Sequence, residues 1–175
     1  MSDSPAEIEF LTVEVVLALH QRQLVRFGGG AGLRDRGLLE SAVAQPQASF
    51  GGMYAHEGLF AMAAAYLFHI VSNHPFVDGN KRAGLLAAQV FLDVNGIALE
   101  HDSEAFYELT MGVAEGRIDK AAVAAELERI AKSNPAQPSA AVQEGLAQAD
   151  AGKVVEHDEV GRILDARFGR PFKKT

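Results

Sequence analysis

The sequence contains no cysteine, which excludes a disulfide framework, a thiolate zinc site and a cysteine nucleophile. It also lacks any uninterrupted apolar stretch long enough to span a bilayer. The first residues, MSDSPAEIEF, are acidic, with neither the basic start nor the apolar run of a signal peptide. A cytoplasmic protein with no membrane partner is therefore expected. Strand-like alternation is missing too: no segment switches convincingly between apolar and polar residues, so the expected class is all-α.

What is present fits one domain with an appendage. Apolar residues make up 48% of the 175, enough to exclude global disorder and to build a proper core. The net charge of −7 is unevenly placed. Residues 1–138 hold 17 acids against 10 Lys and Arg, whereas 139–175 hold six of each. An acidic body without a basic stripe argues against direct nucleic-acid binding.

Helical periodicity recurs along the chain. TVEVVLALHQRQLVRFGGG opens on Thr12, a good N-cap, and closes on glycines suited to a C-cap. RDRGLLESAVAQ reads as a short helix stopped before Pro46, and ASFGGMYAHE as a loop or flap. GLFAMAAAYLFHIVSNH is strongly helical. The segment Asn80–Asn95 is apolar nearly all round, as a buried helix is. SEAFYELTMGVAEG and DKAAVAAELERIAKS supply two more. The glycines of GGGAGLRDR lack the strand–helix context and the Gly-Lys-Ser/Thr ending of a P-loop, and read as a helix terminator. His20, His56, His69, His101 and His157 are scattered and read as surface or packing residues.

A shift in composition at SNPAQPSAA marks a linker, placing a main domain at 1–132, a linker at 133–139 and a helical tail at 140–175. The tail is too small for a core of its own. Its apolar stripe of Val160, Ile163 and Leu164 needs a surface to cover.

The chemistry concentrates in HPFVDGNKR, residues 74–82. Lys81 and Arg82 fall in the first turn of the buried helix, where the dipole and open N–H donors mildly repel cations. An anion resolves the conflict. The N–H groups of Gly79, Asn80 and Lys81 would form a phosphate cradle, with Lys81 and Arg82 adding full charges for a di- or triphosphate. Asp78 would then hold Mg²⁺ beside the phosphates. His74 is the nearby group able to take a proton from an attacking hydroxyl, and Phe76 the apolar pin of the loop. Each residue also has a blander reading: a capping histidine, an ordinary Asp-Gly turn, and cations paired with acids of another helix. What favours chemistry is the gathering of all these types at one helix entrance.

HPFVDGNKR resembles the signature of Fic-type proteins, and within them the Doc (death-on-curing) branch. FLTVEVVLALH, GLRDRGLLESAVAQPQASFGG and FAMAAAYLFHIVSNHPFVDGNKRAGLLAAQVFLDVNG resemble the Doc pattern as well, so the likeness covers roughly residues 8–131. It implies a bundle of about six helices and transfer of a phosphate-containing group from ATP, with Mg²⁺, to a protein hydroxyl. His74 matches the general base, Phe76 the anchor, Asp78 the magnesium ligand, and Asn80 and Arg82 the phosphate binders. Fic adenylyltransferases usually have Gly at the Lys81 position and a second Arg at the Leu85 position. The Doc-like toxins carry Lys at position 81 and move the γ-phosphate onto a threonine of elongation factor Tu. Gly79 looks more like the adenylylating branch. Lys81 and Leu85 together favour the kinase, leaving adenylylation and an inactive binding module as alternatives. EGLAQADAGKVVEHDEVGRILDARFG, in the tail, resembles the toxin-binding part of a small antitoxin, which implies an inhibitory partner segment. Ser139 stands five residues before Glu144, one more than in the usual Fic inhibitory helix.

Overall fold

The computed structural model describes residues 8–99 and 104–133. Six helices run through them: α1 (Val13–Phe27), α2 (Arg36–Ala44), α3 (Leu59–Asn73), α4 (Asn80–Val94), α5 (Glu104–Ala114) and α6 (Lys120–Ser133). The helical class expected from the sequence is thus the class observed. One refinement concerns ASFGGMYAHE, which forms a small antiparallel hairpin of β1 (Ser49–Phe50) and β2 (Met53–Tyr54). Two residues per strand are too few for alternation to show in a sequence.

Helix boundaries follow local chemistry. Thr12 caps α1 by accepting from the Val15 N–H at 3.3 Å, and Gly28 closes it by donating to the Leu24 carbonyl at 2.8 Å. Asp35 caps α2 in the same way, through Leu38 N–H at 3.0 Å. The chain leaves α2 through a 3₁₀ turn containing Pro46, which has no N–H to continue the helix.

The core centres on the pairing of α3 with α4, with α1, α2 and α6 packed around it. Both central helices are apolar on most faces: Tyr66, Leu67 and Ile70 of α3, and Ala87, Phe91 and Leu92 of α4, are fully buried. Gly84 lets the two approach, since a Cβ there would lie 2.9 Å from Val71 Cγ2. The loop joining the two, 74–79, is the stretch in which the sequence gathers its candidate chemical groups. Among the described residues no helix is long and apolar enough to cross a membrane.

Candidate active site

The loop starts with strain. His74 caps α3 at φ 50°, ψ 53°, and is the one non-glycine residue at positive φ among the described residues. That conformation costs a non-glycine residue about 1 kcal/mol, so the loop must be held from elsewhere. Asn80 does part of this. Its buried side chain accepts from the Phe76 N–H and donates to the Phe76 carbonyl, both at 2.9 Å. Its amide also lies 3.3 Å from His74 Nδ1. An amide N–H donated there makes Nδ1 an acceptor and leaves the proton of the neutral ring on Nε2. A base acting through Nε2 therefore needs the tautomer that gives up this long contact.

A second restraint is the segment after α1. Arg34 and Asp35 N–H groups both donate to the Pro75 carbonyl, at 2.7 and 3.1 Å, and Val77 N–H donates to the Gly32 carbonyl at 3.0 Å. Arg34 adds a bond from its guanidinium to the Asn73 carbonyl at 2.9 Å. Leu33 and Phe76 pair as an isolated antiparallel bridge. The glycines of GGGAGLRDR thus do more than end α1: their segment zips along the loop and walls it.

That wall meets the charged residues. Asp78 Oδ2 accepts from Gly30 N–H at 3.2 Å and lies 3.9 Å from Arg82 Nη2. Arg82 Nη1 donates to the Gly28 carbonyl at 3.1 Å, and its guanidinium sits 5.8 Å from the Phe27 ring centre. Glycine suits position 29, whose φ is 130°, and a Cβ there would come 2.5 Å from Asp78 Oδ2 and displace that carboxylate. Gly79 N–H donates to Asp78 Oδ1 at 2.6 Å. The Gly79 and Gly30 N–H groups, then Arg82, hold the exposed Asp78 carboxyl below the usual carboxylate range. It is ionised at neutral pH.

At α4 the first helical bond runs from Ala83 N–H to the Gly79 carbonyl at 2.9 Å. The N–H groups of Asn80, Lys81 and Arg82 precede it, and no side chain caps them. The structure thus brings Asp78, Gly79, Asn80, Lys81 and Arg82 to one entrance, with His74 exposed at the other end of the loop and Phe76 buried between. Two details differ from the sequence reading. Gly79 N–H is already taken by Asp78, and the Asn80 side chain faces the loop, so Asn80 offers an anion its backbone N–H. As a metal ligand Asp78 is not part of a larger set: no cluster of three or more His, Cys, Asp or Glu able to hold an ion occurs among the described residues. One ionised, exposed carboxylate beside open phosphate donors fits Mg²⁺, which takes its remaining ligands from phosphates and water.

His20 is the residue that sequence reasoning missed. Its ring lies flat on Phe76, with centroids 3.8 Å apart and planes 4° from parallel, and its Nε2 is 2.7 Å from the Asp78 carbonyl. Burial lowers its pKa, and Arg82 adds to that effect. A lone His in an amphipathic helix gives no sign of a contact 58 positions away.

With the helical pair, the strained histidine and the cationic helix entrance described, comparison with known proteins identifies the family. The pattern of the Fic/DOC family matches residues 10–92. Toxin Doc of Mycolicibacterium smegmatis is 41% identical over 121 residues, covering 68% of this chain and 91% of its own length. Protein kinase doc of Escherichia phage P1 is 36% identical over 123 residues, covering 69% and 94% respectively. The chain belongs to the Fic/Doc family.

Proposed function

We propose that this chain is a Doc-like toxin that transfers the γ-phosphate of ATP to a protein hydroxyl, the substrate being a threonine of elongation factor Tu, and so blocks translation. The observation that carries the reading is the open, doubly cationic entrance of α4 beside Asp78 and His74. In this account the N–H groups of Asn80, Lys81 and Arg82 and the Arg82 guanidinium bind phosphate oxygens. Asp78 would hold Mg²⁺, which would supply charge neutralisation at the phosphates. His74 takes the proton of the attacking hydroxyl as its oxygen bonds to the γ-phosphorus. The bond from that phosphorus to the β–γ bridging oxygen breaks, and ADP leaves.

Adenylylation is the second reading, and Gly79 is the residue that favours it. Lys81 distinguishes the two: at the phosphate entrance its side chain favours a nucleotide pose that exposes the γ-phosphate. Incubation with ATP labelled at the γ- or the α-phosphate separates them, since the kinase transfers only the first label. Lys81→Gly should lower γ-transfer and permit some α-transfer. An unchanged product at an unchanged rate removes Lys81 from the account.

The tail forms the other half of the reading. Residues 140–175, with Val160, Ile163 and Leu164, lie outside the described residues. As a tethered antitoxin-like segment they would face the body at an effective concentration of roughly millimolar, enough for a weak inhibitory contact to persist. Truncation after Lys132 should make expression toxic, and His74→Ala in the same background should restore growth. Equal toxicity with and without the tail rules the inhibitory role out.

A further inference from the structure

Three features of α1 converge on the transfer loop. Gly28 accepts from Arg82, Phe27 faces the same guanidinium, and His20, about two turns earlier, reaches under the loop. The His20 contact differs in kind from the others. It is buried, with only 5% of the residue exposed, and it engages main chain rather than a charged side chain. A carbonyl can only accept, so Nε2 must carry the proton and donate it to the Asp78 oxygen at 2.7 Å. The parallel ring simultaneously backs Phe76, itself 1% exposed. One side chain therefore fixes two points of the loop, two residues apart, on either side of Val77.

The points it fixes are those from which the site is built. Phe76 carries both main-chain groups gripped by Asn80, the first residue of α4. The Asp78 carbonyl belongs to the peptide whose N–H, on Gly79, donates to the Asp78 carboxylate at 2.6 Å. Holding that peptide plane at its oxygen sets the direction of its N–H, and so of the carboxylate that answers it. Gly79 leaves room for this: a Cβ there would stand 3.3 Å from His20 Nε2, at a backbone φ of 80°. Packing alone explains a flat aromatic ring on Phe76, but phenylalanine or leucine would serve that purpose. It does not explain a buried donor aimed at a loop carbonyl.

We propose that His20 is a positioning residue for the transfer loop, whose Nε2–H and ring together hold the Asp78–Gly79 peptide and Phe76 so that the Asp78 carboxylate and the α4 entrance face the nucleotide. This rests on the functional reading above for its consequence, though the restraint itself is independent of it. Two substitutions in the full-length chain separate the donor from the ring. His20→Phe keeps the stacking and removes the N–H; His20→Gln keeps an N–H donor of similar reach and removes the ring.

Amide hydrogen exchange followed by NMR reads the restraint directly. In His20→Phe, the Val77 and Gly79 amides should exchange about tenfold faster, while the Gly28 amide, at the end of α1, keeps its wild-type protection. His20→Gln should recover most of that protection at Gly79. Calorimetric titration with ATP and Mg²⁺ should show affinity reduced about tenfold in His20→Phe, and within about threefold of wild type in His20→Gln. Unchanged exchange at Val77 and Gly79 in His20→Phe overturns the proposal. So does equal loss in both variants with a matching fall in Tm, because that is the pattern of a packing residue. Failure of the wild-type chain to bind the nucleotide counts against the functional reading alone, and the exchange comparison then still decides the role of His20.

Discussion

Helices α1 and α4 are equally long, and their entrances are built on opposite principles. At α1, Thr12 supplies a side-chain oxygen to the Val15 N–H, and Glu14 in the first turn complements the dipole. At α4, Gly79 brings no cap and the first turn holds Lys81 and Arg82. Helix α3 shows that openness by itself is not the distinction, since Gly58 also leaves it without a side-chain cap. Helix α6 shows that a first-turn cation is not the distinction either. There Asp119 caps Ala122 N–H at 2.8 Å, while Lys120 lies 3.5 Å from His69 Nε2. Only the combination is peculiar to α4 among these four, and under the proposed function an external anion would satisfy it.

The largest expected effect tests the histidine beside that entrance. His74→Ala should lower transfer by roughly 10²–10⁴-fold while leaving ATP binding in place, as loss of a general base does. His74→Gly should be equally inactive yet about 1 kcal/mol more stable than the Ala variant, because glycine relieves the left-handed backbone. Thermal melts of the two variants check this, and an Ala variant as stable as the Gly variant removes the strain from the account.

Next come the charged groups. Arg82→Ala and Asp78→Asn should each weaken affinity for ATP in magnesium by on the order of tenfold or more. The Asp78 variant alone should lose the dependence on magnesium. Titrations with and without the metal separate the two roles, and equal losses in both conditions argue against Asp78 as a ligand.

Capping sharpens the contrast further. Thr12→Ala should cost about 1 kcal/mol of stability and leave nucleotide affinity untouched, because its lost bond serves α1 alone. A change in affinity in this variant, measured by the same titration, would mean that the two entrances are coupled.

Much of this contrast is legible in the sequence, because caps and first-turn charges are local. Thr12, the run Asn80–Val94 and the gathering at 74–82 can be read directly, and the structure puts each where local rules place it. What cannot be read is set by distant packing. His20 meets Phe76 and Asp78 only because α1 crosses the α3–α4 loop. The glycines at 28–30 look like a terminator until Asp78 and Arg82 are seen against them. The Asn80 side chain turns into the loop to grip the Phe76 main chain, and His74 adopts a positive φ that no propensity foretells.

The smallest effect concerns the α6 entrance. Burial, then Lys120 and His56, pull the pKa of His69 down to about 4, and burial lowers that of His56 as well. Folded values below the ordinary 6.5 mean that the unfolded chain takes up protons first as pH falls. Stability is thus full above about pH 6.5 and declines toward pH 4. Tm should drop by a few degrees between pH 7 and 5, and His69→Gln should flatten that slope. An unaltered slope in the variant would assign the pH dependence to other groups.

The central claim, that the cationic α4 entrance holds a nucleotide whose γ-phosphate His74 helps to transfer, is tested most directly by the mass of the target. Elongation factor Tu, incubated with ATP, Mg²⁺ and the chain truncated after Lys132, should gain a single phosphoryl group, and none when His74→Ala replaces the wild-type residue. An adenylyl adduct, or a phosphoryl adduct that survives the His74→Ala substitution, would contradict the account.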